Sequence, residues 1–131
     1  MKKYLLLPAF LLFTVFGFAQ NLCQEFKTGT YTIKDKKFDK VYTINRKEGL
    51  QTESDNEGTV CQFSVNWVND CTYELRFDKT ISSKEPVTFP EGFVITTKIT
   101  KKTRNGYKFE TSSNLSPMIM KGKATRKTMK F

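Results

Sequence analysis

The stretch Cys61-Gln62-Phe63-Ser64-Val65-Asn66-Trp67-Val68-Asn69-Asp70-Cys71-Thr72-Tyr73-Glu74-Leu75-Arg76-Phe77 alternates apolar and polar side chains on both sides of a short polar break. Cys61, Phe63, Val65 and Trp67 share one face, with Gln62, Ser64 and Asn66 opposite. Beyond the break, Cys71, Tyr73, Leu75 and Phe77 alternate with Thr72, Glu74 and Arg76. A period of two over such short runs marks half-buried strands, and the break makes them a hairpin. The faces select its register. A two-residue turn at Asn69-Asp70 would set Trp67 against Thr72 and mix apolar with polar. A three-residue loop, Val68-Asn69-Asp70, sets Trp67 against Cys71, Val65 against Tyr73 and Phe63 against Leu75, with Asp70 left-handed.

Outward from this hairpin the chain is rich in threonine, aromatic and β-branched residues and shows no sustained 3.6-residue apolar period. Eight strands are expected: 26–33, 38–46, 50–54, 59–67, 71–77, 93–102, 107–112 and 118–125. Three-residue loops are expected again at Arg104-Asn105-Gly106, pairing Thr103 with Tyr107 and Ile99 with Thr111, and at Lys47-Glu48-Gly49. The segment from Lys79 to Gly92, with Pro86 and Pro90, reads as a packed loop, with a lid over a cavity as the alternative. The fold class is therefore all-β: an antiparallel up-and-down meander of about eight strands, as a closed or partly open small barrel.

The first nineteen residues read as a secretory signal peptide. Lys2-Lys3 precede an apolar run from Leu5 to Phe18, and Gly17-Phe18-Ala19 supplies small residues for a cut after Ala19. The run is shorter than a bilayer span and contains Pro8. Gln20 occupies the place where a lipid-attachment motif before Cys23 wants an aliphatic residue, so no lipid anchor is expected. The expected product is one exported domain, residues 20–131, in the periplasm or outside the cell. Lys and Arg number 22 against 13 acidic residues, a net charge of +9 that falls to +7 without Lys2 and Lys3. Such an excess favours solubility and attraction to anionic surfaces.

Chemistry is more sharply bounded. The chain has no histidine, so no Ser-His-Asp or Cys-His arrangement and no imidazole-ligated zinc can be built. The carboxylates are scattered singly, and no glycine-rich phosphate loop, paired CxxC or EF-hand-like loop occurs. Neither enzyme activity, cofactor nor metal is expected, and nucleic acid is the least favoured partner.

Three cysteines in an oxidising compartment imply one disulfide and one thiol. In the hairpin register Cys61 lies roughly 20 Å along the strand from the residue opposite Cys71, which excludes Cys61–Cys71. Cys23–Cys71 is the expected bond, leaving Cys61 as a small core hydrophobe.

Three segments carry a resemblance: Cys23-Gln24-Glu25-Phe26-Lys27-Thr28-Gly29-Thr30-Tyr31, Ile44-Asn45-Arg46 with Gln51-Thr52-Glu53, and Val65 to Leu75. Together they resemble a family of small secreted proteins of the Bacteroidetes type without an established function. That resemblance covers roughly residues 23–77 and supports the Cys23–Cys71 pairing, since both cysteines lie in its motifs. Members often carry the name DNA topoisomerase IV, which the chemistry here rejects. Such an enzyme needs an ATP site, an acidic metal cluster and a cleaving tyrosine in a large framework. Gly29-Thr30-Tyr31 is also similar to the Gly-x-Trp of lipocalin-like barrels, with Arg126 placed where a last-strand arginine could pack on it.

Two functions are compatible with these features. The first is a non-enzymatic, monomeric binding module holding a small apolar molecule inside the barrel, with Tyr31, Tyr42, Phe63, Trp67, Tyr73 and Phe109 as candidate lining residues. The second is a basic surface-interaction protein that docks on anionic glycan or lipid headgroups through Lys98, Lys101, Lys102 and Arg104.

Overall fold

The computed structural model describes residues 22–128. The region read as a signal peptide lies outside them. Within them the alternating runs form eight antiparallel strands: β1 Gly29–Asp35, β2 Lys40–Lys47, β3 Leu50–Ser54, β4 Val60–Trp67, β5 Thr72–Ser82, β6 Val94–Thr103, β7 Gly106–Ser113 and β8 Ser116–Arg126. Each strand pairs with the next, and β1 pairs with β8, so the meander closes into a barrel. Closure removes the exposed edges that an open sheet of this composition would present. The closing seam is short. Only Tyr31, Thr32 and Ile33 pair with Arg126, Thr125 and Ala124, while the rest of β8 pairs with β7 alone.

The first expected strand begins too early: Gln24–Phe26 form a 3₁₀ turn, and β1 starts at Gly29. Phe26 turns inward from it and is buried, so its apolar character reflects a plug and not a strand. The β4–β5 hairpin keeps the expected faces but slides by two residues. Trp67 lies opposite Tyr73, Val65 opposite Leu75 and Phe63 opposite Phe77. Val68 N donates to Thr72 O at 2.9 Å, which leaves Asn69-Asp70-Cys71 as the loop. Asn69 Oδ1 accepts from Cys71 N at 3.1 Å, so a side-chain turn replaces the left-handed Asp70. A shift of two preserves which side chains point inward.

The other two expected three-residue loops are two-residue turns. Lys47 pairs with Leu50 across Glu48 (φ 53°) and Gly49 (φ 76°), the all-positive geometry that matches strand twist. Thr103 pairs with Gly106, and a bulge at Thr100 brings Ile99 opposite Phe109 instead of Thr111. Gly106 is there for close approach, not for a positive φ. A Cβ at that position would fall on the Ala124 backbone carbonyl of β8. The long connection is shorter than its sequence suggests, since β5 runs on to Ser82. Residues 83–93 form a packed loop, with Phe89 against Phe63, Phe77 and Phe93 at ring separations of 5.8, 4.7 and 5.6 Å.

The two ends of the barrel differ. At one end lie the turns 48–49, 68–71 and 104–105 with the 3₁₀ turn drawn across them. The Cys23–Cys71 disulfide, with Cα atoms 5.2 Å apart, fastens that turn to the β4–β5 loop. Cys61 is a buried free cysteine on β4, and burial pushes its thiol pKa up. At the other end are the connections 36–39, 55–59, 83–93 and 114–115.

Candidate functional site

The closed end is sealed by polar and aromatic groups around one cation. Arg46 points inward from β2 and is only 2% exposed. Its Nε donates to Gln51 Oε1 (2.9 Å), Nη1 to the Phe26 carbonyl (2.6 Å), and Nη2 to the hydroxyls of Tyr73 (2.8 Å) and Tyr107 (3.1 Å). The guanidinium carbon also lies 4.4 Å from the Tyr73 ring centroid and 5.8 Å from those of Tyr31 and Trp67. Burial works against its charge, but the surrounding phenol oxygens outweigh that effect and hold its pKa above the usual value. Burial raises the Tyr31 and Tyr73 hydroxyls, so these remain neutral donors and acceptors at neutral pH. Below this layer Arg126 of β8 packs over the Tyr31 ring and donates from Nη2 to its hydroxyl and to the Glu25 carbonyl, each at 3.1 Å.

Above Arg46 the interior is not filled. A cavity of about 350 Å³ is lined by Ile33, Tyr42, Ile44, Leu75, Ile95, Phe109 and Met120, with Asp35, Gln51, Glu53, Tyr73, Thr97 and Thr111 completing its wall. This is at the small end of the range for ligand pockets, about 300–1,000 Å³. Asp35 and Met120 reach both cavity and solvent from β1 and β8, where the closing seam has already parted. Phe38, Leu115, Met118, Ile119 and Met120 leave this rim apolar and exposed.

Glu53 is the unusual wall residue. It faces inward because Gln51 and Glu53 occupy alternate positions of β3, opposite inward-facing Arg46 and Ile44 of β2. Gln51 Nε2 donates to Glu53 Oε1 at 2.8 Å, so the same amide accepts from Arg46 and donates to Glu53. Burial raises the Glu53 pKa above the ordinary carboxylate value, with the Gln51 hydrogen bond and the Arg46 charge opposing it. A larger depression of about 540 Å³ lies outside the closed end, between Thr28–Thr30 and Arg126–Thr128. It adjoins the last described residue and is no enclosed site. Cys23, Asp70 and Cys71 also converge, but both sulfurs are already joined in the disulfide.

Of the six aromatic residues proposed as lining, Tyr42, Tyr73 and Phe109 border the cavity. Tyr31 and Trp67 belong to the plug around Arg46, and Phe63 is packed beneath Phe77 and Phe89. The sequence singles out Arg46, Gln51 and Glu53 only through the family resemblance. A strict inward-apolar rule puts Leu50 inside and Gln51 outside, whereas Gln51 is 1% exposed and Leu50 41%. Their common signal was a polar inward register set by the neighbouring strand.

The basic residues proposed as an anion site lie along β6 and its turn, and Lys101, Lys108 and Lys123 form one cross-strand row over β6, β7 and β8. Lys98 projects from β6 opposite Thr72 and Glu110, Lys101 is exposed opposite Lys108, and Arg104 is in the β6–β7 turn. Lys102 pairs with Glu25 at 2.5 Å. No helix among the described residues is long and apolar enough to cross a membrane. The molecule is a closed eight-stranded antiparallel β-barrel with an internal cavity open at one end. No family model matches the chain, and neither a curated protein nor a solved structure shows detectable similarity to it.

Proposed function

We propose that the chain is an exported, non-enzymatic binding module of lipocalin-like design that holds a small apolar molecule in its barrel. The observation that carries this reading is the cavity itself. An eight-stranded barrel can be filled completely by its own side chains. Here the plug fills one end, and seven apolar side chains surround a space of about 350 Å³ at the other. Burying apolar ligand surface there supplies roughly 25 cal/mol per Å² before the costs of association. Docking on anionic glycan or lipid headgroups has less support, because Lys102 is engaged by Glu25 and the proposed lysines do not face one pocket.

The test is native mass spectrometry of the protein purified from the cells that make it. Additional mass that disappears on denaturation, and is missing from an Ile95→Trp variant that fills the cavity, is the expected result. A bare wild-type protein that also fails to take up 1-decanol would overturn the reading.

A further inference from the structure

The lining of the cavity has one sign of charge. The chain carries 22 Lys and Arg residues, yet none of those among the described residues lines this space. Among the described residues its only charged wall residues are Asp35 and Glu53, both acidic. Arg46, the nearest buried cation, is separated from the cavity by Gln51, whose side chain is inserted between it and Glu53. Gln51 is itself held at both ends. Its oxygen accepts from Arg46 and one N–H of its NH₂ group donates to Glu53 Oε1, which fixes the amide between the two charged groups. Glu53 Oε2 makes no hydrogen bond among the described residues, and this half-buried carboxyl borders the cavity. An ionised carboxyl in such surroundings is stabilised by a cationic donor and destabilised by a second anion.

We infer that the ligand is an organic cation, an apolar body bearing a protonated amine, whose ammonium is received by Glu53 Oε2 while its body lies against Ile44, Leu75, Ile95 and Phe109. This deepens the proposed function and rests on the cavity being a ligand site. Asp35, at the mouth where β1 and β8 separate, adds negative potential along the entry path. Its Oδ1 accepts from Lys37 N and Phe38 N at 3.0 and 3.3 Å and thereby shapes the β1–β2 turn. A carboxylate ligand of equal length would meet Glu53 and Asp35 instead of Arg46.

Three probes of matched length separate head-group preference from cavity binding: decylamine, 1-decanol and decanoate, titrated calorimetrically at pH 7.5 into the full exported chain. Decylamine should bind at least about tenfold more tightly than decanol, the scale of one charge-assisted hydrogen bond, and decanoate most weakly. Glu53→Gln should bring decylamine to the decanol level and leave decanol within about twofold of wild type. Asp35→Asn, which retains the Oδ1 acceptor, should lower decylamine affinity by a smaller factor. Decanoate binding as well as decylamine would overturn the amine assignment while leaving the cavity reading intact, as would an unchanged decylamine-to-decanol ratio in Glu53→Gln. If none of the three binds, both readings fail. Should Glu53→Gln not fold, the wild-type ratio of decylamine to decanoate decides.

Discussion

Replacing Arg46 tests the account of the closed end most directly. Its guanidinium makes four hydrogen bonds, two of them to phenol hydroxyls that are buried with it. Hydrogen bonds to a charged group contribute about 1.5–3 kcal/mol each, so a simple sum is roughly 6–12 kcal/mol. That sum overstates the effect. Removing the side chain also relieves a desolvation penalty of several kcal/mol, and groups sharing one network do not add. The expected loss for Arg46→Ala is therefore about 3–5 kcal/mol, against about 5–15 kcal/mol for a domain of this size. Arg46→Met conserves volume but leaves the Phe26 carbonyl, Gln51 Oε1 and the Tyr73 and Tyr107 hydroxyls without their donor, for an expected loss of about 2–4 kcal/mol. Urea unfolding followed through Trp67 is the assay, since this single tryptophan lies 5.8 Å from the guanidinium. With a slope of about 1–3 kcal/mol per molar urea, the Ala variant should lose more than about 1 M in midpoint. An Arg46→Met midpoint within about 0.5 kcal/mol of wild type would refute the reasoning and make Arg46 only a space-filler.

Two other perturbations separate the halves of the barrel. Cys23→Ser with Cys71→Ser opens a bond between residues 48 apart; the chain-entropy relation gives a loss of about 4 kcal/mol, the upper end of the usual range, read as a lower thermal midpoint without change in the barrel's far-ultraviolet signature. Glu53 should make the empty protein less stable as pH rises. Its folded pKa is above the unfolded value of about 4.3, so the native state binds more protons in that window and ionisation is penalised above it. The stability of Glu53→Gln minus that of wild type should therefore grow as pH rises above about 4.5 and level off once Glu53 is ionised in the fold, measured by urea midpoints. Arg46, Gln51 and Cys61 face the same carboxyl, and none of the three changes charge in that window if the Cys61 thiol stays raised; a flat difference would refute this.

Alternation made the strands legible, while the need to cover edges left a closed or a partly open barrel, and the β1–β8 pairing closes it. Inward parity survived even where the β4–β5 register slid by two, because a period of two is insensitive to that shift. Loop geometry was less legible. Glycine at a hairpin satisfies either a positive φ, as at Gly49, or a close backbone approach, as at Gly106, and the two look alike in sequence. The hairpin excluded only Cys61–Cys71, and of the two pairs left the family resemblance supports Cys23–Cys71, the bond that forms. The polar interior was not. Nothing local to Gln51-Thr52-Glu53 turns Gln51 and Glu53 inward. Their facing is imposed by pairing with Arg46 and Ile44 on β2 and with Phe63 and Cys61 on β4.

The cavity has its own cause in side-chain size. At the level of Glu53 the facing strands contribute Thr97 from β6 and Thr111 from β7, not larger aliphatic residues. Their hydroxyls meet at 2.7 Å, and Thr111 Oγ1 also lies 3.3 Å from the Thr96 carbonyl, so this polar pair is satisfied without reaching across the barrel. On β8 the next inward position is Gly122, where a Cβ would collide with the ring of Phe109. The tip of the Phe109 ring therefore occupies the space over Gly122 on the neighbouring strand. Leucine at Thr97 and Thr111 would add apolar volume where the barrel is empty and cover the carboxyl of Glu53. A sequence selected for packing alone would favour that exchange, since each filled methylene contributes about 0.8 kcal/mol. The small residues on β6–β8 and the carboxyl on β3 thus form one design: the first keep open the space that the second polarises.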